Sequence, residues 1–250
     1  MKPALSFILV LLVAAQACSG ARVLLGGAAA SGQASGSTSA SVTVGASVSG
    51  DNAIVGGEAK AEGKQTSTNL ELSASNPTAS SKLTTSGQAA GEDGTNLQSN
   101  GIVTLAPDTV TATGFTTGTA KGKDAVVAAN TEAESKTKKY GTATAQSETF
   151  GTGSKKITGT AGVATISSPT GLQSESGSAS ESWKRSGLAN SVARIVGPSP
   201  NSKTNANTFI FLTKDAVTGD ATASGSGGNA QVQAALELLE KARVRWAWKP

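Results

Sequence analysis

The residue types that most often carry catalysis are almost missing from this chain. Histidine is absent and cysteine occurs once, at Cys18. A Ser/His/Asp triad or a Cys/His pair cannot be built without histidine, and a transition-metal site lacks its commonest nitrogen ligand. Ser135 to Lys138 has the S-x-x-K spacing of a serine–lysine nucleophile, but it lies in a charged run without the companion motifs of that class. The sequence therefore predicts a protein that is not an enzyme, with no catalytic, cofactor-binding or metal-ligating residue.

Threonine at alternate positions is a spacing that could recognise a surface. Alternate residues of a strand share a face, so each Thr-x-Thr pair would present its methyl and hydroxyl groups side by side. The pattern is similar to the Thr-x-Thr rows of ice-binding β-solenoid antifreeze proteins, over short tripeptides only. The resemblance implies a flat, regular array as the functional surface. The candidate array comprises Thr109, Thr111, Thr113, Thr117, Thr119, Thr142, Thr144, Thr158 and Thr160.

The N-terminus has the pattern of a secretory signal peptide. Lys2 supplies a positive start, Phe7 to Ala15 is an unbroken apolar run, and small residues follow up to Ala21. The apolar run is far shorter than the ~20 residues that a membrane-spanning helix needs. We expect a signal peptide over residues 1–21, a secreted, extracellular protein, and no transmembrane segment in the mature chain. A buried N-terminal helix and a lipid-carrying Cys18 are the alternatives.

The composition limits the kind of core that the chain can build. Gly, Ala, Ser and Thr make up more than half of the 250 residues, whereas Leu, Ile, Val and Phe make up fewer than a fifth. A chain that buries little apolar surface cannot offset the entropy of ordering its backbone and remains disordered. The high net charge that usually accompanies disorder is missing, because the net charge is only +4. The basic residues are spread out with few aromatic neighbours, so no nucleic acid is expected as a partner.

Alternating side chains favour β structure in the body of the chain. From Ser39 to Gly50 small apolar residues alternate with Ser and Thr, and Leu70 to Ala74 and Ala143 to Ala145 repeat the pattern. Clusters of Gly, Asn, Asp and Pro between such stretches indicate turns. The sequence predicts a mainly β fold, irregular or solenoid-like and built from small residues. The alternative is a largely disordered, low-complexity chain.

The C-terminal segment has a different period. Beyond Asn229, apolar residues recur every three or four positions, which is typical of one face of an amphipathic helix. We expect a Gly/Ala/Ser-rich linker over residues 22–38, a β-like region over 39–228 and an amphipathic helix over 229–249. The helix could cap the β region or contact a partner. Its candidate contact residues are Leu236, Leu239, Trp246 and Trp248.

These features together favour a function that needs no reaction centre. We expect a secreted, non-enzymatic structural or surface-interaction protein, associated with extracellular matrix or cell wall. An extracellular polymer or a second copy of the chain is the expected partner. An ice-binding β protein that uses the Thr-x-Thr array is the alternative.

Overall fold

The computed structural model describes residues 5–14, 27–153, 155–183, 187–197, 202–212, 216–226 and 231–238. These residues form fourteen β-strands and, within the described ranges, no helix. The strands are β1 (Leu5–Ala14), β2 (Gly27–Gly36), β3 (Ser39–Ser49), β4 (Asn52–Ser75), β5 (Ala79–Leu105), β6 (Val110–Lys121), β7 (Ala125–Thr137), β8 (Gly141–Gly153), β9 (Lys156–Ser168), β10 (Gly171–Trp183), β11 (Gly187–Val196), β12 (Lys203–Leu212), β13 (Ala216–Ser226) and β14 (Gln231–Leu238).

The expected alternation is visible as regular burial along the strands. In β7 every odd-numbered position from Ala125 to Thr137 is buried, and every even-numbered position is partly or fully exposed. The stretch predicted from Ser39 onward forms β3, and those around Leu70 and Ala143 lie within β4 and β8. The prediction of a mainly β protein is therefore confirmed.

The fourteen strands make one sheet that folds back on itself into two layers. Layer one contains β3, the first half of β4, the second half of β5, β6, β9, β10, β12 and β13. Layer two contains β1, β2, the second half of β4, the first half of β5, β7, β8, β11 and β14. The layers pack face to face, since β7 contacts β9 and β8 contacts β10 without sharing a hydrogen-bonded ladder. Each layer thus has one inner face and one outer face.

The long strands β4 and β5 pass from one layer to the other at a bend. The pairing register shifts between Gly63 and Gln65, where one residue of β4 stands against four residues of β5 that lie between Ala90 and Thr95. Gly63 and Gly94 have φ values of 150° and 113°, which side chains other than glycine rarely adopt. The Lys64 amide at the bend donates to Ser37 Oγ over 2.9 Å. Such irregularities bend the strands and interrupt the ladder locally.

Large side chains of one layer fill gaps that glycines leave in the other. Leu83 of β5 is fully buried and lies over Gly101 and Gly114, which are direct partners on β5 and β6. A Cβ atom on Gly114 would lie 2.8 Å from Leu83 Cδ1, which is closer than real contacts allow. Val127 of β7 lies in the same way over Gly118 of β6. Glycine within a strand often marks such a close approach.

Hydroxyl groups bridge the layers where large apolar side chains are scarce. Ser135 Oγ lies 2.8 Å from Thr165 Oγ1, and Thr137 Oγ1 lies 2.8 Å from Ser167 Oγ. All four residues are buried or nearly so. Each bond satisfies two buried polar groups at once, which removes the penalty that an unpaired hydroxyl would carry. The interior is therefore a thin core of Gly, Ala, Ser and Thr with a few Leu, Ile and Val.

The second half of the fold has a regular strand spacing. Strands β6 to β12 begin at Val110, Ala125, Gly141, Lys156, Gly171, Gly187 and Lys203, so successive strands start 15 or 16 residues apart. The bridging hydroxyl pairs accordingly join residues 30 positions apart, as Ser135 and Thr165 do. The regularity belongs to antiparallel strands and not to the parallel coils of a solenoid. Among the described strand pairs, only β10 and β12 are parallel.

Two segments differ from the sequence-based expectation. Residues 27–36, inside the expected linker 22–38, form β2, whose inward positions are Ala and Gly and therefore lack the apolar contrast that marks a strand. Residues 231–238, inside the expected helix 229–249, form β14, which pairs with β11. This stretch also alternates between apolar and polar residues, and strand pairing supplies hydrogen bonds to the backbones of both β14 and β11. Leu236 lies on β14; three other expected helix contacts lie outside the described residues, namely Leu239, Trp246 and Trp248.

Candidate functional site

The outer face of layer one brings four of the predicted threonines together. Thr117 of β6 lies directly opposite Thr160 of β9, and Thr119 lies opposite Thr158. All four are partly exposed on the outer face. Strands are about 4.8 Å apart and alternate residues about 6.7 Å apart, so the four side chains form a small, nearly rectangular grid. We call these four residues the threonine grid.

The other predicted threonines lie elsewhere. Thr111 and Thr113 continue along β6, but Phe115, which is 44% exposed, separates them from the grid. The Thr111 hydroxyl is within hydrogen-bond distance of the Thr104 hydroxyl. Thr109 lies in the turn before β6, where its backbone bonds to Ala106. Thr142 and Thr144 lie on β8, at the outer face of layer two. The structure therefore assembles part of the predicted array on one face.

Amides and carboxylates extend the threonine grid toward β4. Gln98 of β5 is the direct neighbour of Thr117, and its Nε2 donates to Glu58 Oε1 over 2.7 Å. Lys60 Nζ lies 2.8 Å from the same oxygen. Gln98, Glu58 and Lys60 thus form a bonded polar cluster beside the threonine grid, whereas Ile54, Ile102 and Phe115 expose apolar side chains elsewhere on the same face.

The outer face of layer two carries a trough that sequence reasoning missed. A cavity of about 550 Å³ crosses β2, β4, β5, β7 and β8. Its polar lining forms one cross-strand row, since Gln33, Asn69, Ser86, Asn130 and Glu148 are successive partners on these five strands.

The trough is wider than this row alone, because its lining also extends along the strands. A second cavity of about 430 Å³ adjoins the first and shares Ser67, Gln88, Ala128 and Phe150 with it. We call both cavities together the amide trough. The polar residues of the trough lie at the outward positions of the alternating pattern, which the sequence shows. Their alignment across the strands depends on which strands are neighbours. That order cannot be obtained from alternation alone.

Two features distinguish the amide trough from an ordinary polar surface. Phe150 stands at one wall with 41% of its surface exposed. Asn130 Oδ1 is buried and, within the described part of the chain, has no hydrogen-bond partner. The only charged group in the lining is Glu148, whose Oε1 accepts a bond from Gln146 Nε2 at 2.9 Å. The trough therefore offers mostly uncharged donors and acceptors beside one aromatic ring.

Charged clusters are sparse across the ranges that the structure covers. No group of three or more His, Cys, Asp or Glu residues there could surround a metal ion.

Lys139 lies at the β7–β8 turn, where a hydrogen bond to Tyr140 and the Tyr140 and Asp108 charges raise the pKa of its exposed ammonium group above the usual value. In the same described residues, no helix is long and apolar enough to cross a membrane.

Comparisons with protein-family models, with curated proteins and with solved structures find no match for this chain.

Proposed function

We propose that the chain is a secreted, non-enzymatic structural or surface-interaction protein of the extracellular matrix or cell wall. The observation that carries the proposal is the presence of two broad outer faces, rich in hydroxyl and amide side chains and interrupted by a few exposed apolar residues, on a body of regularly spaced strands. Such faces can form many hydrogen bonds with a polymer without a deep pocket. The N-terminal leader expected over residues 1–21 would direct export; it includes β1.

Fractionation of secreting cells tests this proposal. The full-length chain with a C-terminal tag is expected in the wall or matrix fraction, from which a denaturant releases it. A variant that lacks residues 2–21 is expected to remain inside the cell. Recovery of the full-length chain inside the cell, or freely soluble in a polymer-free medium, contradicts the proposal.

The threonine grid supports ice binding as a second candidate function. The grid is a rigid arrangement of methyl and hydroxyl groups on two adjacent hydrogen-bonded strands. A rigid array can match a periodic solid without losing side-chain entropy, because Thr has restricted χ1 rotamers.

Thermal hysteresis of the purified protein tests the second candidate. Thr117→Lys is expected to abolish the hysteresis, whereas Thr144→Lys, on the opposite face, is the matched control and keeps it. Absence of hysteresis in the unmodified protein at high concentration, or equal loss in both variants, refutes the candidate.

A further inference from the structure

We infer that the amide trough binds an uncharged polysaccharide chain. The inference rests on the proposed surface-interaction function and specifies both the face that is used and the class of polymer. It is carried by the lining of the trough, by its shape and by its charge.

The polar lining matches the chemistry of sugar hydroxyls. Each side-chain amide offers two donor hydrogens and one acceptor oxygen, and a sugar hydroxyl both donates and accepts. Gln33, Asn69, Gln88 and Asn130 all line the trough.

The aromatic wall matches the apolar face of a sugar ring. Phe150 contributes a flat apolar surface next to Ala128, its direct partner on β7. The C–H groups on one face of a pyranose can pack on such a ring while the hydroxyls at the ring edge reach the amides. A site with one apolar wall and a few directed polar groups is the usual design of small-molecule recognition.

The cross-strand row of polar residues is long enough to contact a chain that lies across the strands. The polar row crosses five strands, and four spacings of about 4.8 Å give a length of roughly 19 Å. A peptide would be expected to add to a sheet edge, where backbone groups are free. Layer two uses the backbones of β4, β5, β7 and β8 within its own ladders on both sides. The trough therefore presents side chains and no backbone edge to its ligand.

The charge of the trough selects against anionic polymers. Glu148 is the one charged residue among the described lining residues, and Glu132 lies next along β7 on the same outer face, whereas Glu134 and Lys136 lie farther away and Glu134 faces Lys82 of β5. A sulfated or uronic-acid polymer would bring like charge to these carboxylates. An uncharged glucan carries no such penalty.

Affinity electrophoresis of the purified protein in gels containing soluble hydroxyethyl cellulose, a mixed-linkage glucan or the anionic polymer polygalacturonate tests the inference. We expect retardation by at least one of the two neutral polymers and not by polygalacturonate. Phe150→Ala is expected to weaken binding by about tenfold, which corresponds to about 1.4 kcal/mol. Asn69→Ala removes a polar group of the trough without touching the aromatic wall and is expected to weaken binding several-fold.

Matched variants on the opposite face provide the controls. Phe115→Ala and Asn100→Ala replace an exposed Phe and a half-exposed Asn on the outer face of layer one, and both are expected to bind like the unmodified protein. Thermal unfolding of each variant identifies any loss of fold, in which case the remaining trough variant decides.

Three results would overturn the inference. They are absence of retardation by both neutral polymers, equal weakening by Phe150→Ala and Phe115→Ala, and retardation by polygalacturonate alone. If the protein still fractionates with wall or matrix after any of these results, the surface-interaction function stands and only the trough is wrong. If neutral polymers bind in the gel but the protein is not secreted, the trough stands and the proposed function fails.

Discussion

The fit between Leu83 and the glycines beneath it can be tested by adding a single methyl group. Gly114→Ala places a Cβ 2.8 Å from both Leu83 Cδ1 and Thr85 Cγ2. Both side chains are fully buried, so neither can swing toward solvent. Gly162→Ala is the matched control, because it lies on the adjacent strand β9 with its nearest neighbours at 3.7 Å.

The difference between the two variants isolates the cost of overpacking. Replacing glycine by alanine within a strand gains roughly 0.5–1 kcal/mol by reducing the backbone freedom of the unfolded chain. Gly162→Ala should show this gain alone. Gly114→Ala should show the same gain minus an overpacking cost of about 1–3 kcal/mol. At about 2–4 °C per kcal/mol for a chain of this size, the melting temperatures of the two variants should differ by several degrees.

Thermal and urea unfolding of the unmodified protein and of four variants completes the test. Leu83→Ala alone should cost about 2–5 kcal/mol, because it leaves a cavity. Combined with Gly114→Ala, the added methyl enters that cavity, so the double variant should be more stable than the sum of the single effects by about 0.5–3 kcal/mol. Equal stability of Gly114→Ala and Gly162→Ala, or strictly additive effects in the double variant, would refute the close packing of the layers.

Three further perturbations address the hydroxyl bridges, the bend and the sheet edge. Ser135→Ala leaves the buried Thr165 hydroxyl without this partner and should lower the free energy of unfolding in urea by about 1–3 kcal/mol. Ser73→Ala, on an outer face, is the control and should change it by no more than about 0.5 kcal/mol. Gly94→Ala meets no atom within 4 Å, so its expected loss of about 1 kcal/mol or more in thermal unfolding reports backbone strain at φ 113° alone. Strand β3 pairs only with β4 among the described strands and has no charged residue, so it forms an unprotected sheet edge. Thr43→Lys places a charge on this edge, and sedimentation should show less self-association of the variant than of the unmodified protein.

Sequence reasoning succeeded where the period of two carried a clear apolar signal. The alternation of Val with Ser and Thr from Ser39 onward identified β3, and Leu70 to Ala74 identified part of β4. The poverty in bulky residues also predicted a thin core of small side chains. The Thr-x-Thr spacing also predicted that Thr117 and Thr119 share a face, and that Thr158 and Thr160 do.

The strands β2 and β14 and the regular strand spacing were not predicted, because they depend on contacts between strands that the composition does not indicate. In β2 the inward side chains are only Ala and Gly, so its period of two has almost no apolar contrast. In β14 the residues fit both a helical and a strand period, and pairing with β11 decides between them. The strand spacing of 15 or 16 residues was invisible because inward positions accept Gly, Ala, Ser or Thr with little preference. What recurs is the length of each strand and its turn, not the identity of its residues.

Both functional hypotheses concern the outer faces of the layers. Some inward positions are constrained by volume, as Gly114 is by the Leu83 side chain that packs over it. Outward positions carry no such volume constraint, so the chain can align threonines on one layer and amides on the other without disturbing the core. The threonine grid and the amide trough lie on opposite layers and share no residue. A substitution in one should therefore leave the other intact, which makes the two functional hypotheses separable in a single folded protein.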